Sequence, residues 1–375
     1  MQTSASSPGR YDLAVVGAGI VGLAHAADAA SRGLRVVVLE RDQHAAGASV
    51  RNFGHVCTTA QTGEALRLAL AARESWLTLG PKAGFDVATC GTVVLARAAD
   101  EAAVLEELHA ARGSEQVRLL TPQGLRSEVP FATDEIVAGA LLPLDLRLDP
   151  RAALPALAAW LTDEGVEIRW GTHVGSVEPG VVHTSRGPVA ADRIVHAVGH
   201  DVDRLFPELA AEWDVQRCVL QMLEVAPPHG VVVDPAVLTG LSMLRYGGMA
   251  ELPSAARLAE RLAREQPELL DVAMNLMLTQ RPDGSIVLGD THHYAVTHPP
   301  FEDEKVVALV LREGERLLGA PLTVRRRWRG VYANSALTDF LVAEPHEGTR
   351  VVAVTSGIGM TTALGLAPTV LDQLL

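Results

Sequence analysis

Short apolar runs recur along the chain, each followed by a glycine or polar turn and then by apolar residues at helical spacing. The pattern is clearest over residues 11–40, YDLAVVGAGIVGLAHAADAASRGLRVVVLE. Residues 13–16 are a run of the kind buried on both faces of a parallel sheet. Gly17-Ala18-Gly19-Ile20-Val21-Gly22 follows, and a helix then runs to residue 31, where Arg32-Gly33 ends it. Residues 34–39 form a second strand with Glu40 at its tip. The same order closes the chain: a strand over 350–355, the turn Ser356-Gly357-Ile358-Gly359, and a helix over 360–375.

Between these ends the periodicity predicts helices over 63–79, 100–112, 151–164, 253–264 and 302–318, with a short capped one near 121–126. Asp149 serves as N-cap and Pro150 as first helical residue of the helix at 151–164. Strands are expected over 136–142, 166–170, 174–178, 181–184 and 193–198, and residues 85–97 read as a strand pair around Gly91. In the second half, strands are expected at 219–225, 231–233, 241–246, 276–281 and 285–288, with an Arg-rich strand at 322–332. The loop from Gly47 to His55 is rich in glycine and polar residues, where a simple NAD domain would go straight into its next α/β unit. No internal repeat is visible.

A chain of 375 residues is long for one domain and suggests two. With 48% hydrophobic and 21% charged residues it can bury a large core. A formal net charge of −13 argues against sequence-independent nucleic-acid binding, which needs a basic surface. Cys57, Cys90 and Cys218 are odd in number and far apart, matching neither a metal motif nor a disulfide framework. A reducing, cytoplasmic setting is therefore expected. Residues 1–10 are polar and lack an apolar core, so they read as a loose tail, and no apolar run approaches a membrane span.

A lone G-x-G-x-x-G is a weak signal, but here a strand precedes it, a helix follows and an acid ends the next strand. Gly17 permits the tight turn, Gly19 lets backbone approach a pyrophosphate, and Gly22 lets the helix pack on the strand. Glu40 is placed to accept hydrogen bonds from a ribose. Dinucleotide binding is the expectation. A second helix N-terminus at residues 357–361 could face an anion that develops in turnover, or be an ordinary connection; both stay open.

The Glu40 strand, the Gly47-Ala48-Ser49-Val50-Arg51-Asn52 loop, the strand ending Ala197-Val198-Gly199 and the Ser356-Gly357-Ile358-Gly359-Met360 end resemble the D-amino-acid oxidase / glycine oxidase / sarcosine oxidase family. The resemblance implies an α/β fold, in which a doubly wound, Rossmann-like FAD domain is interleaved with an α+β substrate domain on a large antiparallel sheet. Residues 1–84, 145–215 and 320–375 would form the first, and 85–144 and 216–319 the second. More narrowly, Gly47 to Gly54, Arg245-Tyr246, Gly289-Asp290-Thr291-His292-His293-Tyr294 and Trp328 to Tyr332 resemble a bacterial subgroup associated with aminophosphonate breakdown.

Carried over, Gly17, Ala18, Gly19, Ile20 and Gly22 would hold the pyrophosphate, with Glu40 and Arg41 at the adenosine ribose. Ser49, Arg51, Asn52, Gly54, His55 and Val56 would wrap the ribityl chain and ring, and the backbone of Val174 would pair with adenine. Ala197 and Gly199 would pass the pyrophosphate, while Gly357, Ile358, Gly359, Met360 and Thr361 would close on the flavin. The family's common Ala-Thr-Gly or Ala-Ala-Gly reads Ala197-Val198-Gly199 here, which leaves backbone contacts intact. No cysteine sits in the late segment where sarcosine-oxidase-like enzymes tether flavin, so FAD is expected to be held non-covalently.

Oxidation of an amine by flavin is mainly a positioning problem, in which the Cα–H must sit close to N5 while the nitrogen lone pair forms an imine that then hydrolyses. An anion anchor is the main requirement. Arg245 and Tyr246, on a presumed strand of the substrate sheet, could clamp a carboxylate or phosphonate. His292 and His293 point to opposite sides if extended, so at most one faces the ring. Arg327 and Arg329 share one face of an alternating strand and either see substrate or line a solvated edge. Asp290 with the two histidines lacks a third ligand at useful spacing, so no metal is expected. Lys82 and Lys305 fall outside every flavin-contact motif, which leaves oxidase and dehydrogenase, with or without O2 as acceptor, both open. The expected activity is FAD-dependent oxidation of a small primary or secondary amine, best 2-aminoethylphosphonate or its N-methyl form. A glycine- or sarcosine-type amino acid is the first alternative. An NAD-linked dehydrogenase and a non-catalytic flavin-binding subunit of a larger complex are the others.

Overall fold

The computed structural model describes residues 9–130 and 135–375, so the expectation for the N-terminal tail lies, up to residue 8, outside the described residues. Tyr11–Val16 is the central strand of an eight-stranded sheet, flanked in parallel by Val36–Leu39 and Gly187–His196. The register sets Leu13 opposite Val36 on one side and Val16 opposite His196 on the other. Glu167–Arg169 and Thr349–Val354 extend the sheet in parallel, and Phe340–His346 closes one edge antiparallel. The hairpin Val174–Glu178 and Val181–Thr184 runs off the start of Gly187–His196.

Successive side chains of a strand point to opposite faces, and the central strand uses both. Leu13 and Val15 pack into a core shared with the helices Ile20–Ser31, Gly63–Ala83, Pro150–Asp163 and Gly359–Leu374. Ala14 and Val16 pack on the other side, against Val177, Val202 and Phe206. Burial on both faces is why this strand carries no polar alternation.

A nine-stranded, mostly antiparallel sheet forms the second layer system, and here the long strands Gln216–Val225 and Val324–Asn334 pair along their whole length. Only Ala236–Leu238 against Thr92–Ala96 is parallel among its described pairs. The helices Ala99–Arg112, Pro253–Glu265 and Glu304–Leu318 cover it. Val324–Asn334 belongs to this sheet although the sequence boundary at residue 320 put it with the dinucleotide part. An isolated bridge between Asn334 and Ser356 then ties the end of that strand to the last glycine turn. No helix of the described residues is long and apolar enough to cross a membrane.

Three expectations are corrected, and one strand was not expected. Residues 85–97 hold one strand, Thr92–Ala96, because Ala88 pairs only with Arg147 in an isolated bridge. Residues 231–233 are not a strand: the Val231 N–H bonds the Pro228 carbonyl, and the Val233 N–H bonds the Gln280 side chain. Residues 241–246 are not a strand either, since Thr239 and Ser242 form a capping box that starts the short helix Gly240–Met243. Phe340–His346 gave no strand signal, because Pro345 interrupts it; the proline is tolerated at a sheet edge, which lacks a partner for the missing N–H.

Candidate active site

The first glycine turn is built around close approaches. Gly17 has φ +102°, and a Cβ on Gly22 would lie 1.9 Å from the Gly17 carbonyl oxygen, so the helix Ile20–Ser31 starts directly against the turn. Glu40 closes the turn from the next strand: its carboxylate accepts from the Ala18 N–H at 2.8 Å and the Asp42 N–H at 3.0 Å. Ser49 Oγ accepts from the Ile20 N–H at 2.9 Å, which brings the loop after the second strand onto the same helix start. No side chain caps this helix from its N-cap, Gly19. Beyond the Ile20 N–H that Ser49 takes, this end offers its next N–H groups and a partial positive charge to an anion.

That loop is held by its own side chains. Asn52 donates to the carbonyls of Ala48 and Ser49, both at 3.0 Å, and accepts from the Gly54 N–H at 2.8 Å. Gly54 has φ +70°, and a Cβ there would meet the Leu148 carbonyl at 1.8 Å. Trp328 works from behind: its indole N–H donates to the Arg51 carbonyl at 3.0 Å. The guanidinium carbons of Arg151 and Arg281 stand 5.4 and 5.8 Å from its ring. Next along the chain, Asp145 accepts from the Thr58 and Thr59 N–H groups at 3.0 and 2.8 Å, and His55 Nε2 lies 2.7 Å from Thr92 Oγ1. His55, Cys57 and Asp145 bring three potential ligand atoms within 4.8 Å of one another. Burial pushes the Cys57 thiol well up, and the His55 and Asp145 atoms already serve hydrogen bonds, so this cluster is a hub that fixes the turn.

One cavity of about 630 Å³ joins these pieces. At one end its wall carries Gly17, Gly19 and Ile20, then Glu40, Arg41 and Val174. Ser49, Arg51, Asn52, Ala197 and Gly199 continue it, and Gly357, Ile358, Gly359, Met360 and Thr361 face them from the last turn. Thr361 Oγ1 accepts from the Cys57 N–H at 3.1 Å, locking the last helix to the loop. His55, Arg245, Tyr246 and His292 line the inner end. Other expected residues are off the wall. Ala18 is engaged by Glu40, Gly22 packs on Gly17, Gly54 sits under Leu148, and Val56 pairs with Leu146.

At the inner end Arg245 leaves the turn after Gly240–Met243, not a strand as expected. Its guanidinium donates to the Ser356 carbonyl at 2.7 Å, to the Tyr332 hydroxyl at 3.2 Å and to His292 Nε2 at 3.4 Å. Among the described residues no carboxylate lies within ion-pair distance of it. His292 Nδ1 lies 2.9 Å from the Ala273 carbonyl and donates to it, so Nε2 is the acceptor in the neutral ring. Burial, with the Arg245 charge beside it, presses His292 down to about 3 and keeps it neutral. The buried Asp290 carboxyl takes a 3.0 Å hydrogen bond from Asn275 and lies 3.9 Å from His292 Nε2. Asn275 Oδ1 and Ser356 Oγ are buried and have no hydrogen-bond partner among the described residues.

His293 and Arg329 are corrections. His293 is exposed and pairs in a strand with Val219, so of the two histidines only His292 reaches the cavity. Arg329 is drawn away by the Pro299 and Phe301 carbonyls and by Glu302, and Arg327 pairs with Glu304 at 2.7 Å. Neither arginine lines the cavity. Tyr332 was open in the sequence as a ring shield or a core residue, and Asp290 only as a metal ligand that lacked partners. Asn275 was missed, because an asparagine before an apolar strand carries no signal.

The fold is shared with solved structures at low identity. L-proline dehydrogenase from P. horikoshii superposes with a TM-score of 0.79 at 20% identity, over 98% of this chain and 93% of that one. Glycine oxidase from Geobacillus kaustophilus gives 0.77 at 20%, over 97% and 94%. L-alpha-glycerophosphate oxidase from Mycoplasma pneumoniae, with FAD bound, gives 0.78 at 19%, over 98% and 95%. No curated protein matches the chain in sequence. The model of the DAO family, FAD dependent oxidoreductase, matches residues 12–373, and the chain is therefore a member of that family, an FAD-dependent oxidoreductase with FAD as its cofactor.

Proposed function

We propose that the protein oxidises a small amine bearing an anionic group, best 2-aminoethylphosphonate or its N-methyl form, on FAD held without a covalent bond. Bound there, FAD supplies the acceptor for the hydride from the carbon next to nitrogen. The protein's part is binding and placement. Gly17, Gly19 and Ile20 would take the pyrophosphate at the helix start, where Ser49 Oγ already holds the Ile20 N–H, with Glu40 and Arg41 toward the ribose and Val174 toward adenine. Ser49, Arg51 and Asn52 on one wall, with Gly357 to Thr361 on the other, would enclose the ring.

The observation that carries the substrate reading is Arg245, a guanidinium on the inner wall with no carboxylate of the described residues against it. Such a group is completed by an anion from outside. Tyr332, which accepts from Arg245, and the unpartnered Ser356 hydroxyl stand beside it. Three of the four segments that carry the narrower resemblance converge on this cavity through Arg51, Arg245 and Asp290, and Tyr332 of the fourth joins them. Asp290 and neutral His292 leave the amine end a polar but uncharged or singly charged surrounding.

A second reading, a glycine- or sarcosine-type amino acid, is favoured by one observation. With Arg327 and Arg329 engaged elsewhere, Arg245 is the guanidinium at the inner end of the cavity, and one suffices for a carboxylate. Steady-state kinetics with N-methyl-2-aminoethylphosphonate and with sarcosine separate the two. The phosphonate is expected to have the higher kcat/KM, and a lead of about tenfold or more for sarcosine excludes it.

A further inference from the structure

Arg245 and Asp290 are opposite charges that share one buried end of the cavity without touching. His292 stands between them, its Nε2 3.4 Å from Arg245 Nε and 3.9 Å from Asp290 Oδ2. That nitrogen is the ring's acceptor, because Nδ1–H is committed to the Ala273 carbonyl. Its one lone pair takes the Arg245 N–H, so the ring separates the two charges without bonding Asp290. Asp290 is 4% exposed, its side chain has one hydrogen-bond donor, Asn275, and no cation of the described residues lies within 4 Å of it. Such a carboxylate depends on the more distant Arg245 charge to stay ionised.

We propose that Asp290 is the internal counter-charge to Arg245, and that an anion binding at Arg245 drives a proton from solvent onto Asp290, so the site takes up its anionic ligand together with a proton. The proposal rests on the reading of Arg245 as the anion anchor and adds a partner to it. An incoming anion neutralises Arg245, the attraction that kept Asp290 ionised weakens, and the carboxyl binds a proton. Burial pushes the Asp290 carboxyl up to about 7, against the pull of Arg245 and the Asn275 hydrogen bond, so the exchange falls near neutrality. The other titratable groups facing Asp290 do not compete there. Burial raises Cys218 to about 12 and raises Tyr246 and Tyr294, while His292 stays neutral.

The sign follows from linkage. A ligand that raises a group's pKa binds with proton uptake, and its affinity falls as pH climbs through the free group's pKa. The test is calorimetric titration of the FAD-loaded protein with acetate and with methanesulfonate, neither of which titrates near neutrality, in buffers of different ionisation enthalpy. At pH 8 the wild type should take up most of one proton per anion, and affinity should fall by as much as tenfold per pH unit above about 7. Asp290→Asn, which mimics the protonated acid, should bind without proton uptake and with an affinity flat in pH. Binding by the wild type without proton uptake overturns the proposal whatever the variant does, as does uptake that persists in Asp290→Asn. Absence of binding by either anion, or equal binding by Arg245→Ala, instead removes the anchor reading, and the linkage with it.

Discussion

Arg245 reaches the cavity wall with hydrogen bonds to a carbonyl, a hydroxyl and an imidazole, and with no carboxylate of the described residues. Removing the charged partner of a bound anion typically costs about 2–3 kcal/mol or more, so Arg245→Ala should lower kcat/KM by roughly two orders of magnitude. FAD content, measured alongside, should be unchanged, and near-normal kinetics would place the anchor elsewhere. Tyr332→Phe tests the support for that anchor. It removes a hydroxyl that accepts from Arg245 at 3.2 Å, worth about 0.5–1.5 kcal/mol, and should lower kcat/KM roughly three- to tenfold. Arg245 was legible in the sequence as a cation next to a tyrosine, but its surroundings were not. Asn275 and Asp290 exchange backbone hydrogen bonds with each other across a strand pair, and only folding brings them to Arg245.

The strand, glycine turn and helix units at both chain ends could be read directly, because burial on both faces leaves an unbroken apolar run and the turn demands glycine. Gly22→Ala tests the first unit. Its Cβ would overlap the Gly17 carbonyl at 1.9 Å, so the helix must shift, costing about 1–3 kcal/mol. A lowered melting temperature and weaker FAD retention are expected, while Gly124→Ala, whose Cβ meets nothing closer than 3.7 Å in an exposed helix, should be neutral or slightly stabilising. A Gly22→Ala protein with wild-type stability and FAD content would mean the close packing is not needed. Elsewhere local pattern misled. Leu241 and Met243 alternate as in a strand, yet the Thr239 cap turns them into a helix. Val324–Asn334 reads as a strand from its sequence, but nothing local tells which sheet it joins; its pairing with Gln216–Val225 decides that.

At the scale of the molecule, one cavity runs between the two sheets' elements, walled by the first and last glycine turns and by the turn that carries Arg245. A ligand that binds only the folded chain stabilises it by about 4 kcal/mol at a thousandfold excess over Kd, so FAD should raise the melting temperature. Acid precipitation should release the yellow colour into the supernatant, and colour kept in the pellet would show a covalent link. The central claim is that the oxidised amine must bring its own anion to Arg245. Anaerobic mixing of the FAD-loaded protein with N-methyl-2-aminoethylphosphonate, sarcosine and N-methylethylamine tests it most directly, with loss of the yellow colour as the readout. The phosphonate should bleach the protein fastest, and the uncharged-tail N-methylethylamine roughly a hundredfold more slowly, with the gap closing in Arg245→Ala. Bleaching by N-methylethylamine as fast as by the anionic amines would contradict the account.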